Sequence, residues 1–423
     1  MNSIFEITFK VLIIVLFFNA CKEKKVASIQ IIEFERNINS FIPFKLSDLD
    51  CELEYVVLET TPNSMLMDIR FLDISDNYII ITDRDNCRLF DRNGNFISKI
   101  GRQGRGPGEN IFFSQVKILD DMIFLPDVML HKINIFNPRG KFLKSVKSPG
   151  RFSPIESINW MPLSDSSFLV QMPNDTGNEK YRILQINYNG KIITRYPNTT
   201  FYESSHEGCL LNRRADFYTH DNNIFYKELL NDTIWQLKDN YFEPWYILDL
   251  GKYGFSFQYK ALSYPDYLQK AHEGIFTKNI FGFHNFIISK FDFMQHYPFE
   301  FSGSYYNPLL DEYRTRNYDI LGLYNKLSNN FHLVTPSNVD HQPEPTGIEN
   351  DIDGGINFMP RYAVNDALMV GWFEAYQLKM YVASESIKNS TPKYPEKKKE
   401  LEKLAASLDE NDNPVLMLVK LKE

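Results

Sequence analysis

Leu89-Phe90-Asp91-Arg92-Asn93-Gly94-Asn95-Phe96-Ile97 is two short apolar runs joined by a turn that ends in glycine, which is the signature of a β-hairpin. The phrase returns as Ile135-Phe136-Asn137-Pro138-Arg139-Gly140-Lys141-Phe142-Leu143 and as Gln185-Ile186-Asn187-Tyr188-Asn189-Gly190-Lys191-Ile192-Ile193, with the glycines 46 and 50 residues apart. A period in the forties built from short strands points to propeller blades, each a four-stranded antiparallel sheet. Weaker copies follow at Thr233 to Leu237 with Trp245 to Leu250, at Tyr318 to Tyr324 with Phe331 to Val334, and at Ala367 to Trp372 with Val415 to Leu421. The expected fold is therefore all-β, a six-bladed β-propeller.

A second strand precedes the phrase, as in Tyr78 to Asp83 and Met122 to Asp127. Each blade then reads as inner strand, second strand, loop, third strand, glycine turn and outer strand. Strand direction alternates along such a meander, so the glycine turns share one face. The second-to-third loops and the blade-to-blade crossings share the other. Every long insertion falls on that second face: Lys252 to Phe283, Phe293 to Asn317, Thr335 to Gly355, and Phe373 to Asn413 with its charged helical run from Glu396 to Leu408. Long loops gathered on one end of a rigid scaffold are where binding residues concentrate, although such loops can also simply cap the channel.

Composition narrows the class. The chain has 423 residues, with 34 Phe, 24 Tyr and 4 Trp and a net charge of −8. That is enough apolar material for a large core, and it argues against a nucleic-acid partner, which would need a basic face. The one strongly apolar run, Val11 to Phe18 after Lys10, is too short to span a bilayer and reads as a signal-peptide core. Ala20 followed by Cys21 resembles a lipoprotein cleavage box, so the expected organisation is a signal peptide over 1–20, a lipidated polar tether over 21–33, and the propeller over 34–423. The membrane partner would be reached through acyl chains on Cys21. Cys51, Cys87 and Cys209 remain. Their wide spacing excludes a CxxC motif and leaves buried thiols or a single disulfide.

Leu53-Glu54-Tyr55-Val56-Val57-Leu58-Glu59-Thr60, the run Ile100 to Glu109, Leu230-Asn231-Asp232-Thr233-Ile234, the run Asn350 to Gly355 and the tail Asn413-Pro414-Val415-Leu416 resemble the six-bladed, NHL-like β-propeller lipoproteins of Gram-negative gut-type bacteria. The function of that family is uncharacterised. The resemblance implies the fold, lipid anchoring in the cell envelope, with the outer membrane as the expected site, and closure of the ring by a strand from one terminus, either Glu52 to Glu59 or Val415 to Leu421. It supplies no catalytic residues.

Gly101, Gly104, Gly106 and Gly108 lead into another strand rather than a helix, so they read as a tight crossing and not a phosphate loop. Arg102, Arg105 and Glu109 are candidates to project toward the channel mouth. Asp351 and Asp353 match the beginning of a calcium loop, but Pro360 stands where the closing Glu is required; calcium is the one cofactor the residues suggest, and weakly. Tyr264, Tyr267, Tyr305, Tyr306 and Trp372 are candidate ligand-binding rings. No HExxH or GxSxG motif occurs, and the eight histidines are scattered. The expected function is a non-catalytic, lipid-anchored propeller that binds a glycan, peptide or partner protein on its insertion-bearing face. The alternatives are a hydrolase or lyase with a metal in the channel mouth, or a structural subunit of an envelope complex.

Overall fold

The computed structural model of the chain describes residues 29–147, 159–172, 174, 177–203, 215–228, 231–255, 259, 262, 264–307, 312–337 and 341–422. The chain divides into a unit Met1–Gln30 and a unit Ile31–Glu423. Cys21, the run read above as a signal peptide, and Cys209 lie outside the described residues. None of the described helices is long and apolar enough to cross a membrane.

Six blades, each of four antiparallel strands, follow one another along the chain, and the sheets of blades four and five each carry a fifth short strand. Blade one is Phe71–Ile74, Tyr78–Thr82, Cys87–Asp91 and Phe96–Lys99. Blade two is Lys117–Leu119, Met122–Asp127, Lys132–Phe136 and Phe142–Lys147. Blade three is Trp160–Leu163, Ser167–Gln171, Tyr181–Asn187 and Ile192–Pro197, and blade four is Ala215–His220, Asn223–Glu228, Thr233–Leu237 and Phe242–Leu248. Blade five is Phe276–Gly282, Phe286–Asp292, Ile320–Asn325 and Asn330–Val334. Blade six takes Tyr362–Ala363, Leu368–Phe373 and Val415–Leu421 from the C-terminal part and Cys51–Val57 from the N-terminal part.

The repeated phrase forms the same turn each time. The carboxylate of Asp91 accepts from the backbone N–H groups of Asn93 and Asn95, both at 2.9 Å. The Asn137 and Asn187 side-chain carbonyls do the same two and four residues on. Gly94, Gly140 and Gly190 sit at φ of +88°, +73° and +79°, a conformation that disfavours any residue with a Cβ. A β-bulge follows in each hairpin, beside Phe90, Phe136 and Ile186, as turns with a left-handed glycine commonly produce.

Closure is resolved by register. Cys51–Val57 pairs antiparallel with Val415–Leu421 from Cys51↔Leu421 to Val57↔Val415, which makes the N-terminal strand the outer strand of blade six and removes the ring's open edge. The residues before it are used as well. Ile32 and Phe34 are buried, the Asp249 N–H donates to the Ile32 carbonyl at 2.9 Å, and Phe41–Ile42 pairs in parallel with the last strand of blade five.

Between blades, aromatic edges fill the core, as where Phe124, Trp160, Phe168 and Tyr188 meet at 4.6–6.3 Å between blades two and three. The expected insertion from Lys252 to Phe283 ends earlier, since Phe276–Gly282 is the inner strand of blade five. What remains is a helix, Tyr264–His272, whose Tyr267 packs on Phe255 at 5.3 Å. Between the second and third strands of blade five stands a hairpin, Gly303–Asn307 paired with Glu312–Arg316. The corresponding gap in blade six holds helices Ala375–Ala383, Glu385–Asn389 and Pro395–Ser407. Their Leu378, Tyr381, Ile387 and Leu401 join one buried cluster with Ile352, Ile356 and Phe358 from the preceding crossing.

Candidate functional site

The first strands of all six blades face the axis, where they enclose a cavity of about 410 Å³. This is within the usual range for small-ligand sites. Its wall is chemically divided. Blades five, six, one and two contribute Lys278, Lys290, Arg316, Arg361, Arg70 and Lys117, whereas blades three and four contribute Trp160, Met161, Phe217 and Tyr218. Among the described residues the lining holds six basic side chains against two carboxylates, Asp216 and Asp319, in a chain whose total charge is −8.

Asp319 organises the basic side. Its carboxylate lies 2.6 Å from Lys278 Nζ and 3.6 Å from Lys290 Nζ. Burial acts to raise its pKa, but Lys290 and Lys278 outweigh that and hold it below the usual carboxylate value. Lys278 is shared with Asp292 at 2.9 Å. Burial lowers the pKa of Lys290, with the Arg361 charge acting in the same direction against the attraction of Asp319. Arg361 pairs with Glu344 and stacks its guanidinium over the Trp372 ring at 5.1 Å. On the neighbouring wall Lys117 donates to the Tyr362 hydroxyl, which donates to Asp73 at 2.7 Å. The other Asp73 oxygen accepts from Ile118 N–H at 2.8 Å. The carboxylates stand behind most of these cations and hold them toward the lumen.

Among the described residues, three that line the cavity each carry a buried polar atom with no protein hydrogen-bond partner: Gln115 Oε1, Trp160 Nε1 and Tyr218 OH. Native structures leave few such groups unmet, because each costs ~1–3 kcal/mol.

A second cluster is formed by the turns between first and second strands of blades four, five and six. His220, Asp221 and Asp366 present ligand-type atoms close enough for one cation. A cation is already there: Lys326 Nζ is 2.7 Å from His220 Nε2, donates to the Phe283 carbonyl at 2.5 Å, and lies over the Trp245 ring at 5.2 Å. Burial pushes the Lys326 pKa down to about 8. We read this as a structural knot, not a metal centre. It carries a pH dependence. His220 is 4% exposed, and burial, then the Lys326 charge, lower its pKa below the ordinary 6.5 against the pull of Asp221 and Asp366. A depressed folded-state pKa means stability present above 6.5 and lost as pH falls toward the folded value. Between pH ~7.5 and ~5.5 the melting temperature should drop, with a slope of at most ~1.4 kcal/mol per pH unit from this group. His220→Phe, which can keep the ring contacts with Phe225 and Trp245, should flatten that part of the profile; an unchanged slope would remove His220 as its source.

Of the residues singled out in the sequence, Trp372 is brought to the channel. Arg102, 79% exposed, pairs with Glu109 at 2.7 Å, and Glu109 turns back to accept from the Gly106 N–H at 2.7 Å. The glycine-rich run is therefore held by its own carboxylate, and Arg105 is exposed on its outside. Tyr267 is 1% exposed and is packing material rather than a presented ring. Tyr264 begins its helix, and Tyr305 and Tyr306 lie on a hairpin whose far strand ends at Arg316 on the channel lining. Asp351 does not converge with Asp353: it accepts from the Ser47 hydroxyl at 2.6 Å and the Ser47 N–H at 3.1 Å. Asp353 accepts from Asn350 Nδ2 at 2.7 Å and the Gly355 N–H at 2.8 Å. Asp351 thereby ties its crossing to Ser47, and Asp353 holds the turn from Asn350 to Gly355. Cys51 and Cys87 are free thiols, and burial raises the pKa of each. The channel cations escaped the sequence reading because they lie on different blades; polar side chains interrupting otherwise apolar first strands were the available signal.

With the ring and its channel established, relatives can be compared. The family described as Domain of unknown function (DUF4934) matches residues 29–420. The chain belongs to this family. Among solved structures, a Bacteroides fragilis protein presumed to be exported aligns with a TM-score of 0.63 at 17% identity, over 93% of this chain and 100% of its own. A member of the DUF4221 family from Bacteroides vulgatus aligns at a TM-score of 0.46 and 11% identity, over 67% of this chain and 86% of its own. Virginiamycin B lyase from Staphylococcus aureus aligns at 0.36 and 12% identity, over 69% and 90%. At such identities the first likeness shows the fold of this DUF4934 chain alone, and the two lower scores carry no argument about activity. No curated protein matches the sequence.

Proposed function

We propose that this chain is a non-catalytic binding propeller, held at the cell envelope by lipid on Cys21, that takes its ligand into the central channel rather than onto the insertion tyrosines. The observation that carries the reading is the cavity of about 410 Å³ on which all six blades converge, lined by charged and aromatic side chains with three polar atoms left without partners. The insertions still matter, because Arg316 reaches the cavity from the blade-five hairpin. Support for the envelope comes from the apolar run before Cys21 and the presumed export of the Bacteroides fragilis protein.

The test is a thermal-shift screen of the mature chain against pooled glycans and peptides, repeated with Ala363→Trp. Ala363 lines the channel on blade six, and an indole there fills part of the cavity. Hits are expected to vanish in the variant while its own melting temperature stays close to wild type. Hits that survive the filled channel would move the site elsewhere. Detergent-phase partitioning of the full chain, lost in Cys21→Ser, tests the anchor; partitioning that does not change would refute it.

A further inference from the structure

We infer that the ligand of this channel is an acidic saccharide, a sugar unit bearing a carboxylate or sulfate. This inference rests on the channel being the binding site and adds the chemistry of what enters it. Three independent features of the lining converge on that class.

The first is charge. Lys290, Lys278 and Arg316 act on Asp319, one of the two lining carboxylates, and Arg361 lines the same wall. The Asp292 and Glu344 carboxylates lie behind Lys278 and Arg361, which orients these cations without placing further negative charge in the lining. Guanidinium and ammonium groups held this way favour carboxylate and sulfate oxygens, with charge-assisted bonds roughly twice as strong as neutral ones.

The second is the set of partnerless atoms. Gln115 Oε1 accepts only, Trp160 Nε1 donates only, and the Tyr218 hydroxyl does either. A simple inorganic anion satisfies none of the acceptor need, because it has no hydrogen to give Gln115. A molecule rich in hydroxyl groups offers both the donors and the acceptors that these side chains call for.

The third is the set of rings in the wall. Phe217 and Tyr218 from blade four and Phe281 from blade five line the cavity, and aromatic faces suit the C–H face of a sugar ring. An acidic peptide would bring carboxylates but far fewer hydroxyls, and a neutral sugar would leave the cations unused.

The experiment is calorimetric titration of the mature chain with a galacturonate disaccharide, a sulfated disaccharide, a neutral galactose disaccharide, inorganic sulfate and a triglutamate peptide. An acidic disaccharide is expected to bind at least about tenfold more tightly than the neutral sugar, sulfate or peptide, equivalent to ~1.4 kcal/mol, with affinity falling as salt rises. Arg316→Ala, at an exposed position, and Arg361→Gln should each weaken it about tenfold or more. Gln115→Ala should weaken the disaccharide and leave sulfate unaffected. Equal binding of the neutral sugar overturns the charge requirement, and sulfate or triglutamate matching the disaccharides overturns the saccharide. If no acidic sugar binds while Ala363→Trp still abolishes hits from the pooled screen, this inference fails and the channel reading stands. If the hits persist in Ala363→Trp, both fail.

Discussion

Glu228→Gln should destabilise the propeller by ~3–5 kcal/mol in urea unfolding, because it removes the carboxylate charge that stands against a buried guanidinium. Arg182, from the third strand of blade three, has a side chain 2% exposed, and Glu228, at the end of the second strand of blade four, one 7% exposed. Arg182 Nε donates to Glu228 Oε1 at 2.6 Å, the Tyr226 hydroxyl donates to the same oxygen at 2.9 Å, and Arg182 also donates to the Met172 carbonyl. Glutamine preserves the volume, so little cavity term enters; the loss comes from the charge. A double variant, Arg182→Met with Glu228→Gln, should recover part of that loss, because it no longer strands a cation. It should not recover all of it, since the Met172 carbonyl then loses its donor. A single variant within ~1 kcal/mol of wild type would show that water reaches Arg182 and that the pair does not couple these blades.

Gly94→Ala should be the most damaging of the turn substitutions, and comparison with Gly140→Ala shows why. Both glycines occupy left-handed backbone, where an L-residue costs ~1–2 kcal/mol, and both end the same hairpin phrase. They differ in what stands next to them. A Cβ on Gly94 would lie 2.1 Å from the Val57 carbonyl oxygen, whereas one on Gly140 meets nothing closer than the Lys99 carbonyl at 3.3 Å. Val57 ends the strand that closes the ring, and the Glu59 N–H donates to the Gly94 carbonyl at 2.8 Å. Gly140→Ala should therefore cost only the conformational amount, ~1–2 kcal/mol. Gly94→Ala must add displacement of the closing strand. Limited proteolysis should cut before Leu58 in Gly94→Ala and not in Gly140→Ala, and equal losses in both would show that the closing strand yields without penalty.

The residues that could be read from sequence are those whose role is local. Asp91, Asn137 and Asn187 each accept from backbone N–H groups two and four residues away, and the glycine that follows takes the positive φ, so the hairpins announce themselves within nine residues. Counting those hairpins yields the blades. The strand Phe276–Gly282 was harder, since Thr277, Lys278 and Asn279 interrupt its apolar pattern. Lys278 and Asn279 belong to the channel lining, where the usual rule of apolar side chains inward fails, and Thr277 is buried. Tyr267 misled in the opposite sense: its polar tip suggested exposure, yet Phe255 and Ala271 enclose it.

From its own residues the chain determined its repeat, its turn chemistry and the places where insertions interrupt the blades, because hydrogen bonds across a tight turn and alternation along a strand need only near neighbours. Tertiary structure alone decided that Cys51–Val57 is the outer strand of blade six. It also decided that Arg70, Lys117, Lys290, Arg316 and Arg361 share one cavity with Trp160 and Tyr218. Convergence on the axis depends on ring closure and on register, where a slip of one residue would turn each of these side chains to the opposite face.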